Sequence, residues 1–348
     1  MGQRWLTNFS GNDYLGLSTH PDCVAAAQRW AALGCGAAAS RVVTGGIPPH
    51  GELESLLRRI MDTPSCLIFP SGYQANVGTI SALLSPGDLV FSDAENHASI
   101  VDGCRLSGAD IRIYPHLRWE LLEEQLRART SGRRLIVSDT VFSMDGSLAP
   151  VAQLARLARE YDTLFLADEA HAIGVIGPEG RGLCAEQQAH ADVLIGTCSK
   201  GLGSHGAFAA SNEAIAQRLV NRARAFMYTT ALPPSVLGAS LAALEVATGA
   251  EGESLRRRVG SLAEQLRSGL REHGLEPTGD GTPIVSLSFA GAGRATEISR
   301  LLQEKGLLVW AFRPPTVPHG TSRLRVSLSA AHTDHHLERL TTALLAAL

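Results

Sequence analysis

The sequence contains no apolar run approaching the roughly 18 residues that a membrane-spanning helix needs. Its opening stretch, MGQRWLTNFSGNDYLG, has no apolar core of the kind a secretory leader carries. Both absences predict a cytoplasmic chain, neither inserted nor secreted. There is no C-x-x-C: Cys23, Cys35, Cys66, Cys104, Cys184 and Cys198 stand singly, without metal-ligand spacing, which predicts reduced thiols and no metal centre. A basic excess is missing as well. Lys+Arg number 31 against 34 Asp+Glu, a net charge of −3, too balanced for the footprint of a nucleic-acid binder. No internal repeat or low-complexity tract occurs, which excludes solenoids and biased linkers. What is there is 348 residues, 45% apolar and 19% charged, enough to bury a large core and long enough to predict about two domains.

Between about residues 50 and 211 short apolar, β-rich runs alternate with longer amphipathic stretches, the pattern of a mostly parallel sheet covered by helices. Strands are predicted at 67–69, 89–92, 111–114, 135–138, 164–167, 193–197 and 207–211, with helices at 73–84, 98–107, 119–129 and 151–161. The fold class is therefore α/β, with a seven-stranded sheet in a large domain. After Pro233-Pro234 a helix at 235–246 reaches a glycine-rich break, GAEGE, taken as a domain boundary. Beyond it the pattern gives a helix at 254–273, a strand at 284–289, a helix at 296–305, strands at 307–312 and 324–329, and a closing helix at 334–347. The expected organisation is an N-terminal segment 1–15 packing with the small domain, a large domain 16–248 and a small α+β domain 249–348.

Four strand ends carry residues with chemistry. Thr197-Cys198-Ser199-Lys200-Gly201-Leu202-Gly203 places a lysine just past an apolar strand and before a glycine turn, at the edge where open α/β sheets hold ligands. Burial there lowers a lysine's pKa and frees its amine to attack an aldehyde; a solvated surface lysine is the plainer reading. Leu166-Ala167-Asp168-Glu169-Ala170-His171 ends a second strand with two acids and a histidine. A carboxylate beside a protonated ring nitrogen raises that nitrogen's pKa by roughly 1–3 units. Alone, D-E-A-H also suits a metal site or a helicase box, but the G-x-x-x-x-G-K-[ST] the latter needs is missing. Phe69-Pro70-Ser71-Gly72-Tyr73-Gln74-Ala75-Asn76 stops a strand and opens a helix, offering free N–H groups to a phosphate or simply a serine cap. In Asp93-Ala94-Glu95-Asn96-His97-Ala98-Ser99 a histidine follows another strand end, where its ring could lie flat on a planar cofactor or merely cap a helix. Gly201 to Gly206 spells G-x-G-x-x-G, yet a strand follows it and no acid stands about 20 residues on, which argues against a nicotinamide dehydrogenase. Jointly the lysine, the acid, the phosphate cradle and the stacking ring are what pyridoxal phosphate (PLP) requires.

With those residues in place the sequence resembles the α-oxoamine synthase family of PLP enzymes. The likeness runs from Asn12-Asp13-Tyr14-Leu15-Gly16 to the C-terminus, through Ser40-Arg41-Val42-Val43-Thr44-Gly45 with His50, Val141-Phe142-Ser143-Met144-Asp145-Gly146, and Asp168-Glu169-Ala170-His171. Arg313-Pro314-Pro315-Thr316-Val317-Pro318 and Gly320-Thr321-Ser322-Arg323-Leu324-Arg325 resemble most the branch that condenses L-alanine with pimeloyl-CoA, or a pimeloyl carrier protein, in biotin biosynthesis. Sister enzymes using glycine with acetyl-CoA, or serine with a long acyl-CoA, are the alternative, and a PLP-binding protein without catalysis is another.

The resemblance implies the PLP-dependent transferase fold type I, like aspartate aminotransferase, and a role for each matching position. Lys200 would hold the cofactor aldehyde, Asp168 the pyridine nitrogen and His171 the ring phenolate oxygen. His97 would stack on the ring and face the substrate, with Ser143 beside the ring. Gly72 and Tyr73 would meet the phosphate through their backbone, helped by Thr197 and by Thr230 reaching in from the second subunit of a homodimer. Arg313 and Thr316 would face the substrate, Arg313 through a planar fork suited to a carboxylate or else in a surface salt bridge. Family members usually carry a helical arm, with an arginine near the acyl substrate, ahead of Asn-Asp-Tyr-Leu-Gly; this sequence starts almost at that segment. Ala172 stands where they often have Ser or Gly.

Overall fold

The computed structural model describes residues 5–128, 132–291, 293–314 and 321–348. Its strands are β1 (Thr7–Asn8), β2 (Ser65–Phe69), β3 (Leu89–Asp93), β4 (Asp110–Tyr114), β5 (Arg134–Asp139), β6 (Leu164–Asp168), β7 (Val193–Thr197), β8 (Ala207–Ser211), β9 (Ile284–Ala290), β10 (Leu307–Leu308), β11 (Trp310–Phe312) and β12 (Thr321–Ser327). The helices that cover them are α1 (Pro21–Ala31), α2 (Pro48–Met61), α3 (Gly72–Leu83), α4 (Ala98–Ser107), α5 (Trp119–Leu126), α6 (Val151–Glu160), α7 (Leu183–Glu186), α8 (Glu213–Arg222), α9 (Arg224–Met227), α10 (Pro234–Thr248), α11 (Ala250–Glu272), α12 (Gly293–Glu304) and α13 (Asp334–Leu345).

Seven strands form one sheet in the order β2-β8-β7-β6-β5-β3-β4. β8 runs antiparallel to both neighbours and the other adjacent pairs are parallel. The central strands read as unbroken apolar runs because helices cover both faces: Phe165, Leu166 and Ala167 of β6 are all fully buried. α6 shows the complementary pattern, burying Val151, Leu154, Ala155, Leu157 and Ala158 along one stripe. Six strands point the same way, so the C-terminal ends of β2, β3, β5, β6 and β7 share one edge, where α/β sheets bind ligands.

The second sheet is small, β11-β12-β9, and antiparallel. α1, α2 and α8 lie outside the predicted elements. α1 buries only Cys23 and Ala26, too small a stripe to signal a helix, whereas α8 carried a signal in Asn212, which accepts from the Ile215 N–H at 2.9 Å. The predicted strand at 307–312 is two strands serving different sheets. β10 pairs in parallel with β1, while β11 pairs with β12. Ser10 enforces the break: its Oγ donates to the Leu308 carbonyl (3.2 Å) and accepts the Trp310 N–H (2.8 Å). Farther along, Ser327 N donates to Phe9 O, Ser329 Oγ to Asp13 O and Ala330 N to Tyr14 O. Residues 7–14 are thus fastened to β12 and its exit, which fixes where Asn12 and Tyr14 stand. One apolar core continues from Leu53 and Ile68 through Leu237 and Leu262 to Val285, Leu324 and Leu340.

Candidate active site

The shared strand edge opens into a cleft of about 920 Å³ lined by Asn12, His97, Ser143, His171, Lys200 and Arg325, among others. Lys200 occupies the loop that turns β7 into antiparallel β8, where Thr197 pairs with Ala207. The loop closes on itself through Cys198 N to Gly206 O (2.9 Å), Gly203 N to Lys200 O (2.9 Å) and Ser204 N to Cys198 O (2.8 Å). Gly203 has φ +61°, and a Cβ there would sit 2.2 Å from the Ser18 backbone nitrogen. The glycine string therefore serves a tight turn packed on residues 17–18, ahead of a strand, and no dinucleotide turn is formed.

Burial pushes the Lys200 amine below its ordinary pKa; Asp168 and Asp139 pull the other way, and Arg325 adds to the lowering. The neutral amine is the nucleophilic form. The whole sequence has one other lysine, Lys305, which is exposed. That scarcity was readable from the sequence and makes Lys200 the lysine of the cleft.

Asp168 ends β6, buried, and Asp139 ends β5 beside it in register. The Asp168 carboxylate accepts from Asn76 Nδ2 (2.6 Å) and from the Ala170 N–H (2.9 Å). Burial first, and the Asp168 charge second, push Asp139 well above the usual carboxylate range; its Oδ2 accepts the His97 N–H at 2.7 Å. Glu169 turns away from the cleft and is fully buried, taking Thr140 Oγ1 (2.7 Å), Leu183 N (2.9 Å) and Cys184 N (2.7 Å). Its role is to bind the chain at α7, which leaves Asp168 and His171 as the polar groups of D-E-A-H toward the site.

His171 is buried and held neutral, since burial, then the charges of Lys200 and Arg325, lower its pKa well below normal. Its Nδ1 lies 2.7 Å from the Tyr14 hydroxyl, against 3.2 Å from that hydroxyl to Asn12 Oδ1. That contact engages Nδ1 and leaves Nε2 as the other ring nitrogen. Arg325 Nη2 donates to Asn12 Oδ1 (2.9 Å) and to the Tyr14 hydroxyl (3.2 Å), while its buried Nε has no partner. A guanidinium beside a cleft is chemically suited to pair with a carboxylate.

Arg325 and Asn76 carry roles that sequence reasoning missed. The available signal was an arginine at a buried position within the apolar run Leu324-Arg325-Val326 and an asparagine inside the apolar helix α3. Arg313, by contrast, is exposed and does not line the cleft, whereas Arg325 and Arg105 do. Thr316 lies outside the described residues. Gly72 begins α3 behind the cap Ser71, whose Oγ accepts from Gln74 N at 3.2 Å, and a Cβ on Gly72 would lie 4.0 Å from that of Thr197. Thr197 is buried, its hydroxyl spent on Gly206 O (2.8 Å) and Ser199 Oγ (2.7 Å). Tyr73 and Thr230 are exposed, with Tyr73 Oη donating to Asp102.

Comparison with known proteins accords with this geometry. A family model described as aminotransferase class I and II matches residues 5–344. The 8-amino-7-oxononanoate synthase of Marinobacter nauticus is 44% identical over 345 residues, 98% of this chain and 87% of that one. Among solved structures, a serine palmitoyltransferase of S. paucimobilis with bound PLP–myriocin superposes with a TM-score of 0.94 at 32% identity, covering 98% of this chain and 87% of that one. The 8-amino-7-oxononanoate synthase of Francisella tularensis gives 0.84 at 29%, covering 97% and 96%.

Proposed function

The chain belongs to the aminotransferase class I and II family, and from that premise we propose that it is a PLP-dependent acyltransferase. The reaction assigned is decarboxylative condensation of L-alanine with a pimeloyl thioester, on CoA or a carrier protein. Its products are 8-amino-7-oxononanoate, CO2 and the free thiol, a step of biotin synthesis. The cofactor is PLP, and the residues present fit it. A half-buried lysine of lowered pKa, a buried carboxylate, a buried neutral histidine and a capped helix start meet at one strand edge.

Lys200 would hold the aldehyde, Asp168 the pyridine nitrogen and His171 the ring oxygen. Ser143 and His97 would flank the ring, and the N–H groups of Gly72 and Tyr73, with Thr197, would take the phosphate. When bound, PLP supplies an electrophilic carbon for the amino acid's amine and an electron sink for the charge left at Cα. Arg325 would receive the amino-acid carboxylate through Nε, orienting the Cα bonds. Lys200 Nζ, its pKa lowered by burial, is the base placed to take the Cα proton. Asp168, held in place by Asn76 and the Ala170 N–H, would be the carboxylate that a cationic ring needs.

A homodimer suits two exposed segments that lie side by side. The Ala231 N–H donates to Ala39 O at 3.0 Å, joining the stretch that carries Val42 and Val43 to the stretch that carries Tyr228 and Thr230. Val43 is 73% and Tyr228 68% exposed, an apolar surface that a second copy would cover and from which Thr230 could reach the partner's phosphate.

The observation that carries the reading is Lys200, the cleft's sole lysine, coupled to Asp168 across the strand ends. The test is thiol release by the purified holoprotein, with alanine and pimeloyl-CoA set against glycine with acetyl-CoA and serine with palmitoyl-CoA. Fastest turnover with either of the latter pairs replaces the assigned substrates, and PLP binding without thiol release from any pair removes the enzymatic reading.

A further inference from the structure

His97 caps α4 and its residue lines the cleft. Its Nδ1 is engaged by a chain of polar groups that begins at Asp168. Asn76 spends both amide hydrogens, one on Asp168 Oδ2 (2.6 Å) and one on Ser99 Oγ (2.9 Å). The carboxylate fixes the amide's orientation, because the reversed amide would set oxygen against oxygen. Its own Oδ1 is buried without a partner, so the amide is held by its donors alone. Having accepted from Asn76, the Ser99 hydroxyl turns its proton to His97 Nδ1, 2.7 Å away. The Ser99 backbone N–H points at the same nitrogen from 3.2 Å. Two donors converging on Nδ1 require a lone pair there.

We propose that Ser99 is a positioning residue: the relay Asp168–Asn76–Ser99 locks His97 in the neutral tautomer whose Nε2 carries the proton, so that the ring offers the cleft a hydrogen-bond donor. A substrate oxygen, carboxylate or thioester carbonyl, is the group such a donor meets. The same carboxylate that would hold the cofactor's ring nitrogen thereby also sets the proton of the ring stacked above it. The charged groups facing His97 are Asp168 of β6, Asp139 of β5 at its backbone N–H and Lys200 of the β7–β8 loop, with Glu95, Asp102 and Arg105 lining the same cleft. Burial lowers the His97 pKa; Asp168 raises it and Lys200 lowers it, in keeping with a neutral ring. The relay itself rests on these distances, while its use by a substrate rests on the function proposed above.

The experiment is 15N-histidine NMR of the wild-type holoprotein and of the cofactor-free protein, repeated on Ser99→Ala and Ser99→Thr. The wild type should show His97 with a pyridine-type Nδ1 and a protonated Nε2. Removing the hydroxyl takes away one donor to the neutral ring, so in Ser99→Ala the His97 pKa should rise by about one unit, a tenfold change in protonation, with both tautomers populated. Ser99→Thr, which keeps the hydroxyl, should restore the wild-type spectrum. The acid limb of the turnover profile of Ser99→Ala should move up with that pKa. A wild-type His97 protonated on Nδ1 overturns the proposal, as does a Ser99→Ala protein that loses turnover with tautomer and pKa unchanged. A locked Nε2–H tautomer in a protein that releases no thiol from any acyl-CoA upholds the relay and overturns the proposed function instead.

Discussion

Arg325→Ala isolates the carboxylate receptor. The guanidinium already spends Nη2 on Asn12 and Tyr14, and the buried Nε is idle, so a bound carboxylate would gain one charge-assisted hydrogen bond, from Nε. That bond is worth about 1.5–3 kcal/mol. One factor of ten per ~1.4 kcal/mol makes that a roughly 10- to 100-fold rise in KM for alanine. KM for the acyl thioester should change much less. A second readout follows from electrostatics: Arg325 helps to depress both Lys200 and His171, so its loss should shift the pH transition of the cofactor's visible band upward. Arg325→Lys keeps the charge without the fork and should fall between, while Arg313→Ala, at an exposed position, should resemble the wild type. The assay is steady-state thiol release over an alanine series, with the absorbance spectrum as a check on cofactor binding. If Arg313→Ala loses alanine affinity and Arg325→Ala keeps it, the assignment of the carboxylate site is wrong.

Lys200→Ala should abolish turnover and the visible absorbance of the lysine-bound cofactor, because Lys305 is exposed; a surviving band would place the attachment elsewhere. Gly203→Ala forces a side chain into positive φ and onto the Ser18 backbone, which should lower stability by at least about 2 kcal/mol, read as a drop in the urea midpoint. His116 donates to Asp93 from Nδ1 at 2.9 Å. Burial opposes its charge, but the hydrogen bond and charge of Asp93 outweigh that and raise its pKa above 6.5. Its stabilising contribution should therefore be complete below about pH 6.5 and fade as pH rises through the raised value. Urea melts of wild type and His116→Asn should differ most at pH 6 and converge toward pH 9; a gap independent of pH would contradict this.

The large sheet was legible because its central strands are short apolar runs, and burial on both faces leaves little else for such runs to be. The stretch at 307–312 misled for the opposite reason. Val309 is buried between two strands, so the apolar pattern runs straight through a break that is made by Ser10, some 300 residues away in sequence. Lys200, Asp168, His171 and His97 could be picked out as candidates because they stand at or just past strand ends, whereas Ser143 came only with the family resemblance. Arg325 and Asn76 sit inside elements, and their meaning lies in partners that only the fold brings near. Tyr73 is exposed, but its proposed phosphate role runs through its backbone N–H; Thr230 is exposed as well, and its proposed role is toward the phosphate of a second copy.

The carboxylate receptor has a consequence for synthesis. Arg325 is held by Asn12 and Tyr14, more than 300 positions earlier. A nascent polypeptide leaving the ribosome exposes those two residues some 300 positions ahead of the guanidinium they steady. The lysine and aspartate of the cleft are made before it as well. Premature termination shortly after residue 312 would thus leave Asn12 and Tyr14 without the guanidinium proposed to take the amino-acid carboxylate.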